Sequence, residues 1–384
     1  MRTLSILSLF YIIGSFNSYA DQNWSQQNLA VTVSAVQKST EIYQENVTQS
    51  SINASLSITK LFNGVGAKFS ADMATSKFSD SSSMNDISGE LDYAVSLESR
   101  IFLSSVMDVD VYIKQSEKLE SVDLEQARFQ SDFSSIVSRE VSSQGVLWTI
   151  GRASQNRSLT IALDRNLEIE NFSDTNLLLK KSNTLAASVV YSDRISEDSH
   201  FLVRVGQRQA KTDFSNTNKQ KLDITNAYIG LRTAYLGNSQ LDILIGNSHQ
   251  YQNDNALESD LFSWQIANRI KLSDDFIFNL ETTRQFDSSP DANFGSVEQT
   301  GYIANLVWNV NQSWSLNSYL TYKDYQFGND ISADSLGIEQ SIKWNLSDYL
   351  SISSSLRYEN LDGSRQALVH DGFNWSLSMS WEIL

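Results

Sequence analysis

Charged residues recur at every second position in several stretches of the chain, and these are the residues best placed to bind a ligand. Around Arg204 and Arg208, for example, the arginines alternate with Phe201, Val203 and Val205. Side chains of a strand alternate between its two faces, so the charges share one face and the apolar groups share the other. The pattern covers a larger set: Asp108, Asp110, Arg204, Arg208, Arg232, Arg269, Lys271, Glu281, Lys323, Glu339, Lys343, Arg357 and Glu359.

Catalytic chemistry has little support in the sequence. The histidines are His200, His249 and His370, and none is near a nucleophile in a recognisable arrangement. We find no metal-ligand cluster and no phosphate-binding loop. We therefore predict that the protein is not an enzyme and has no metal and no cofactor. A membrane-embedded hydrolase that assembles its site from distant strands remains the alternative.

The C-terminal stretch is the clearest element among those that must position the charges. Its even positions from Asn374 to Glu382 are polar, while its odd positions are apolar: Phe373, Trp375, Leu377, Met379, Trp381 and Ile383. This alternation predicts a strand with one apolar and one polar face. Bacterial outer-membrane barrels are built of such strands, with the apolar face toward lipid and the polar face toward the interior.

The N-terminal residues 1–20 resemble a secretory signal peptide. Arg2 precedes an apolar run over residues 4–16, and residues 18–20 form a small-x-small cleavage site. The run is too short for a transmembrane helix. The predicted organisation is a signal peptide at 1–20 and an outer-membrane barrel at 21–384.

Composition is consistent with this organisation. The chain has no Cys, so no disulfide is possible, and its one proline, Pro290, fits a chain of many paired strands. A formal net charge of -16 argues against nucleic acid as a partner. The predicted location is the outer membrane of a Gram-negative cell.

Period-two segments of roughly ten residues predict about eighteen antiparallel strands in an up-and-down barrel, an all-β fold. The even count puts both termini in the periplasm. We expect a short turn near Glu98, a sixth strand through Phe129, Phe133 and Val137, and a seventh from Val146. Residues 154–182 read as one long loop with a partial strand at 167–172. A β-sandwich or a β-helix fits less well, because turn glycines and prolines are few and no short repeat appears.

Aromatic residues next to the short turns predict an interfacial girdle. Its members are Trp308, Trp314, Trp344, Tyr349 and Trp381.

Two interpretations of the charged face remain open. The charges line a polar conduit, where arginines hold carboxylates or sugar hydroxyls, or they pair with one another and pack a closed interior. About eighteen strands enclose more space than side chains fill, which favours the conduit. Tyr228, Tyr319 and Tyr325 are candidates for stacking on sugar rings, or ordinary strand residues.

The second half of the chain, from Val189 onward, resembles the exopolysaccharide-secretion barrels grouped as beta-barrel porin 2. The resemblance rests on LETTRQF (280–286), GYIANLVW (301–308), SLNSYLTY (315–322), LRYENLD (356–362) and the closing strand. It implies an outer-membrane pore that exports a secreted, biofilm-type polysaccharide together with a periplasmic polysaccharide-export protein. The family has no settled binding residues to carry over.

The predicted function is therefore a passive, polar outer-membrane conduit for an exopolysaccharide, with membrane lipid, the polymer and the export protein as partners. Two alternatives are a general or oligosaccharide-uptake porin and a surface adhesin or structural barrel with a plugged lumen.

Overall fold

The structure is a computed structural model that describes residues 28–42, 45–62, 65–80, 87–121, 136–151, 156–172, 178–214, 219–236, 238–252, 257–288, 296–327, 331–364 and 370–382. The predicted signal peptide at 1–20, together with Phe129 and Phe133, lies outside the described residues. No helix in the described part of the chain is long and apolar enough to cross a membrane.

The described residues form eighteen strands. Their bounds are β1 Asn28–Ile42, β2 Glu45–Phe62, β3 Val65–Asp80, β4 Ile87–Ser104, β5 Met107–Ser121, β6 Ile136–Gly151, β7 Arg157–Phe172, β8 Leu178–Arg194, β9 Ser199–Phe214, β10 Lys219–Tyr235, β11 Ser239–Gln252, β12 Leu257–Lys271, β13 Phe276–Ser288, β14 Ser296–Asn309, β15 Trp314–Phe327, β16 Ile331–Asn345, β17 Leu350–Gly363 and β18 His370–Glu382.

Each strand pairs antiparallel with the next one in sequence, and β1 pairs with β18 from Thr32–Glu382 to Ile42–Gly372. The sheet is therefore a closed, up-and-down barrel of eighteen strands, which confirms the predicted fold class. Closure removes the free edges, with their unpaired amide and carbonyl groups, that an open sheet would have.

The two faces of the barrel differ as the alternation predicts. Large apolar side chains on the outer face are strongly exposed, among them Ile229 at 55%, Phe262 at 59% and Trp381 at 57%. On the polar face, side chains of non-neighbouring strands touch one another, as Arg208 of β9 touches Asp287 of β13. Only the concave side of a barrel allows such contacts, so the polar face is the interior.

Several predicted boundaries are wrong although the strand count is right. The turn lies at residues 105–106, whereas Glu98 is in the middle of β4 and binds Lys114 of β5 (Nζ–Oε1 2.9 Å). Glu98 is a lumen-facing residue with serines close to it in sequence. A polar cluster of this kind resembles a turn, because lumen positions and turns both favour polar residues.

The assignment of residues 136–182 also needs correction. Val137 and Val146 belong to one strand, β6, and the presumed loop holds all of β7 and the start of β8. The alternation is blurred in β7 because Arg165 is on its outer face and Ala162 on its inner face. The sequence interpretation divides β6 into two strands and misses β7, so the two errors cancel and the total of eighteen strands is still right.

The connections define two ends of the barrel. At the short-turn end the turns are tight: Asn311 Oδ1 accepts from Ser313 N (2.8 Å) and Trp314 N (2.9 Å), and Ser347 Oγ accepts from Leu350 N (3.1 Å). The other end, which we call the long-loop end, is the one at which β5 ends at Ser121 and β6 begins at Ile136.

The predicted girdle residues Trp308, Trp314, Trp344, Tyr349 and Trp381 all lie exposed on the barrel near the short-turn end. Trp314 and Trp344 are direct cross-strand partners whose rings stack 5.1 Å apart with an interplanar angle of 6°. Their interfacial role stays a prediction.

Two glycines let β10 and β11 approach closely. A Cβ on Gly246 would overlap the carbonyl oxygen of Ala227, and one on Gly230 would overlap that of Ile243. Glycine kinks of this kind bend a barrel wall, and these two glycines lie on the strands between β9 and β12.

We predict that Gly246→Val lowers the free energy of unfolding by about 1–3 kcal/mol, because the overlapped atom is backbone and cannot move aside. Urea unfolding of the micelle-bound protein, followed by tryptophan fluorescence, measures the change. Gly301→Ala is the control, since its Cβ would lie 3.3 Å from the Thr283 hydroxyl. Equal stability of both variants would contradict this account of the wall.

Candidate functional site

The barrel interior is the candidate site, and the strand register shows which residues face it. Following the cross-strand partners around the closed sheet puts all the predicted lumen residues on the inner face: Asp108, Asp110, Arg204, Arg208, Arg232, Arg269, Lys271, Glu281, Lys323, Glu339, Lys343, Arg357 and Glu359. Whether they line an open path is a separate question that their contacts address.

Some of the predicted lumen charges are neutralised by neighbours. Arg232 binds Asp242 on the next strand, with Nη2–Oδ2 2.7 Å and Nε–Oδ1 2.9 Å. Arg357 Nη2 donates to Glu359 Oε2 at 3.0 Å on the same strand. These pairs match the interpretation in which lumen charges pack against one another.

The predicted Asp108 and Asp110 share a partner that the sequence interpretation missed. Arg100 binds Asp110 through two hydrogen bonds of 2.6 Å (Nε–Oδ1 and Nη2–Oδ2) and lies 3.8 Å from Asp108. The period-two spacing of β4 contained the signal for Arg100, since it lies two positions after Glu98 on the inner face.

Arg204 and Arg208 reach across the interior to strands that are not their neighbours. Arg204 is 4% exposed, and its Nη1 donates to Gln265 Oε1 of β12 at 2.8 Å. Arg208 Nη2 lies 2.6 Å from Asp287 Oδ1 of β13. These contacts connect β9 to β12 and β13 across the interior, the second of them near the long-loop end of β13.

The β12–β13 ladder ends early, which allows β13 to bend inward. Its cross-strand register runs from Lys271–Ile277 to Trp264–Arg284, although β12 continues to Leu257 and β13 to Ser288. Beyond that point β13 remains paired with β14 as far as Ser288–Ser296, and side chains connect its tip to β10 and β12. Phe286 packs in a buried cluster with Leu222, Ile224 and Leu261. We call Phe286, Asp287 and their contacts the β13 latch.

Two of the predicted sugar-stacking tyrosines, Tyr228 and Tyr325, are not free to stack on a sugar ring. Tyr228 is 1% exposed, under the Arg204 guanidinium (5.9 Å to the ring centroid). Tyr325 is 3% exposed in a cluster with Val297, Phe327 and Leu361. Both are packing residues.

A second part of the interior has a different chemistry. From β17 through β18 and β1 to β2, the inner face toward the short-turn end carries mainly small, uncharged side chains with a hydroxyl or amide group. Val36 interrupts them on β1, and the charged Arg357 and Glu359 follow them on β17 toward the long-loop end. This hydroxyl wall consists of Ser351, Ser353, Ser355, Ser376, Ser378, Ser380, Thr32, Ser34, Ser51, Asn53, Ser55, Ser57 and Thr59.

Members of the hydroxyl wall form a hydrogen-bonded network. The Ser353 and Ser378 hydroxyls are 2.5 Å apart, and those of Ser355 and Ser376 are 2.7 Å apart. Because these side chains are short, they leave more of the lumen free than the arginines opposite do. The serine alternation at 376, 378 and 380 was visible in the sequence, but its meaning depends on the neighbouring strands.

At the short-turn end one predicted lumen cation is held by a turn. Lys271 Nζ lies 2.6 Å from Asp274 Oδ1. The hydrogen bond and the charge of this ammonium hold the pKa of the Asp274 carboxyl below its usual value. Lys271 therefore presents less uncompensated charge to the interior than its sequence position suggests.

Comparison with solved structures identifies the fold. The chain is similar to the FrpB iron transporter from Neisseria meningitidis (F5-1 variant; TM-score 0.56, 8% identity, 90% of this chain and 64% of that chain). It is also similar to the siderophore receptor PirA from Pseudomonas aeruginosa (TM-score 0.51, 10% identity, 94% and 81%). A third similar structure is OccK7 from the same organism (TM-score 0.50, 9% identity, 94% and 99%).

These neighbours are outer-membrane barrels, and none of the three is named as an enzyme. The chain spans somewhat less than two thirds of the FrpB length (64%). At these identities the likeness is one of fold alone. No family model matches the chain, and no curated protein sequence matches it either. The resemblance to exopolysaccharide-secretion barrels therefore stays a prediction.

We predict that Asp287→Asn destabilises the long-loop end, because it leaves the Arg208 guanidinium, largely buried, without its charge partner. The expected loss in unfolding free energy is about 2–4 kcal/mol, measured by urea unfolding in micelles. Asp193→Asn is the matched control, since the Arg157–Asp193 pair (3.3 Å) is largely exposed and such pairs contribute about 0–1 kcal/mol. Equal effects of the two changes would argue against the latch.

Proposed function

We propose that the protein is an outer-membrane pore that conducts a neutral, polyhydroxylated polymer, in the manner of exopolysaccharide export. The single observation that carries the proposal is the hydroxyl wall, an uncharged strip of serines, threonine and asparagine on the inner faces of β17, β18, β1 and β2.

Hydroxyl groups suit a passing sugar chain for a physical reason. They donate and accept hydrogen bonds, so a sugar exchanges water for wall hydroxyls at little net cost. Conduction requires binding that is favourable enough for entry and weak enough for release. An arginine-lined path would instead hold anionic groups strongly. The proposed transport is passive, without covalent chemistry.

The outer face supports a membrane location. Its apolar side chains are exposed all around the barrel, for example Ile52 at 61%, Leu163 at 57% and Ile229 at 55%. Exposed apolar surface on this scale is costly in water and stable in hydrocarbon. The likeness in fold to outer-membrane barrels agrees with this location.

A periplasmic polysaccharide-export protein is the proposed partner, and the resemblance of the second half of the chain is its support. A passive porin for oligosaccharides is the runner-up, and it would use the same wall.

A barrel with a plugged lumen is supported by a different observation. The Arg208–Asp287 pair and the buried cluster around Tyr325 and Leu361 fill part of the long-loop end. Near-zero conductance in planar bilayers, for wild type and latch variants alike, would favour that function over a pore.

We predict that Ser378→Phe reduces the flux of a neutral oligosaccharide into proteoliposomes several-fold, because a ring replaces a hydroxymethyl group on the inner face. Leu377→Phe is the control, since Leu377 is on the outer face (39% exposed). Liposome swelling rates give the measurement. Similar flux through both variants would show that the wall does not line the path.

Export itself needs a test in cells. Deletion of the gene should leave the polymer inside the envelope and reduce the amount outside. Normal secretion in the deletion strain would reject export and leave uptake as the function.

A further inference from the structure

The outer surface has a groove that the conduit does not use. It crosses β5 to β9, has a volume of about 640 Å³, and has Gly145, Tyr112 and Asp164 at its floor. Its outward lining is mainly apolar, with polar groups toward the β9 side. The lining residues used below are Ile113, Val146, Leu163, Leu185, Gln207 and Gln209.

Gly145 lies under the groove with its α-carbon hydrogens toward the lumen, where the missing side chain makes room for Tyr112 and Asp164. A Cβ there would overlap both the Asp164 carboxylate and the Tyr112 ring, and the Tyr112 hydroxyl donates to Asp164 Oδ1 at 2.5 Å across the gap. The groove is therefore formed by strands of the barrel wall and not by loops. Its length across five strands suits an acyl chain.

A basic patch borders the groove toward the long-loop end. The cross-strand register places these residues side by side in three rows. Arg165 pairs with Leu185, which pairs with Gln209, and Asn183 pairs with Lys211, which pairs with Lys221. In the third row Lys181 pairs with Asp213, which pairs with Lys219. We define the basic patch as these five cations on the outer face: Arg165, Lys181, Lys211, Lys219 and Lys221.

The carboxylates on the same face are too few to neutralise the patch. Asp213 lies between Lys181 and Lys219 in the register. Asp223 binds Lys221 (Nζ–Oδ2 3.0 Å) and accepts from Gln209 Nε2 at 2.7 Å. Glu140 of β6 is on the same face, since it pairs with Ile169, which pairs with Lys181. Five cations thus face three carboxylates, in a chain with a formal net charge of -16.

The height of the patch matches a membrane surface. Lys181, Lys211 and Lys221 lie about a dozen residues from the short-turn ends of β8, β9 and β10. A tilted strand crosses the hydrocarbon in about 9–11 residues. The lysines therefore lie just beyond the apolar layer on the long-loop side, directly above the groove.

We propose that the groove and the basic patch bind one lipid of the outer leaflet that carries phosphate groups, with an acyl chain in the groove and the phosphates on the lysines. The inference rests on the proposed membrane location, but not on conduction. Complementary charge selects the headgroup, as basic residues at bilayer surfaces do. A second copy of the barrel is a poorer occupant, because its own basic patch would repel this one.

The test uses the full-length barrel in nanodiscs of phosphatidylcholine doped with diphosphorylated lipid A or with its dephosphorylated form, and native mass spectrometry counts retained lipid. Wild type should retain the phosphorylated form at least about tenfold more tightly, since each cation near a surface contributes about 1 kcal/mol in binding. The combined K181Q, K211Q and K221Q changes should abolish the preference, while K181R, K211R and K221R should keep it.

Lys60→Gln is the matched control. Lys60 is exposed on the outer face near the short-turn end, so its neutralisation should leave the preference unchanged. Equal retention of both lipid forms by wild type overturns the site. If wild type instead forms a dimer without lipid, and the three glutamine changes dissociate that dimer, the lipid site is overturned and the patch binds a second copy of the chain. Wild type that does not enter nanodiscs overturns the membrane location as well, whereas insertion without conductance affects only the proposed function.

Discussion

Closure of the backbone ladder is the constraint on which the rest of the structure depends. In hydrocarbon no water is present to bond a free amide, so each spanning strand needs a partner on both sides. The β1–β18 register supplies the last pair of edges. Once the ladder is closed, the alternation of each strand determines which side chains lie on the outer face and which lie in the lumen, and the register determines their neighbours.

The interior is divided by chemistry more than by shape. On the wall from β9 to β13, long cations bind carboxylates or amides on distant strands, as Arg204 and Arg208 do. On the opposite side, serines of neighbouring strands bond to one another, as Ser353 with Ser378 and Ser355 with Ser376 do. A buried cation must keep its partner, since an unpaired charge in such surroundings is costly. The charged wall is thus the less adaptable one, and the hydroxyl wall is the one that a mobile solute can share.

Sequence alone was enough for the fold class and for the face on which each candidate charge lies. Period-two alternation is local information, and it survives wherever the outer residues are apolar, as in β18. It failed where a polar residue lies outside, as Arg165 does in β7, or where a lumen carboxylate such as Glu98 looks like a turn. The side chains that pair with these charges could not be predicted from the sequence. The Arg208–Asp287 contact depends on how far β13 bends inward, and no spacing along one strand records that.

The pairing that closes the cylinder also has a consequence for assembly. Residues 28–42 pair with residues 370–382, so the first described strand can complete its pairing only after the last one has been synthesised. Until then two ladder edges stay open, each able to recruit a foreign strand. Contacts of such large sequence separation form slowly, so these two edges stay open longer than those between strands that follow each other in sequence.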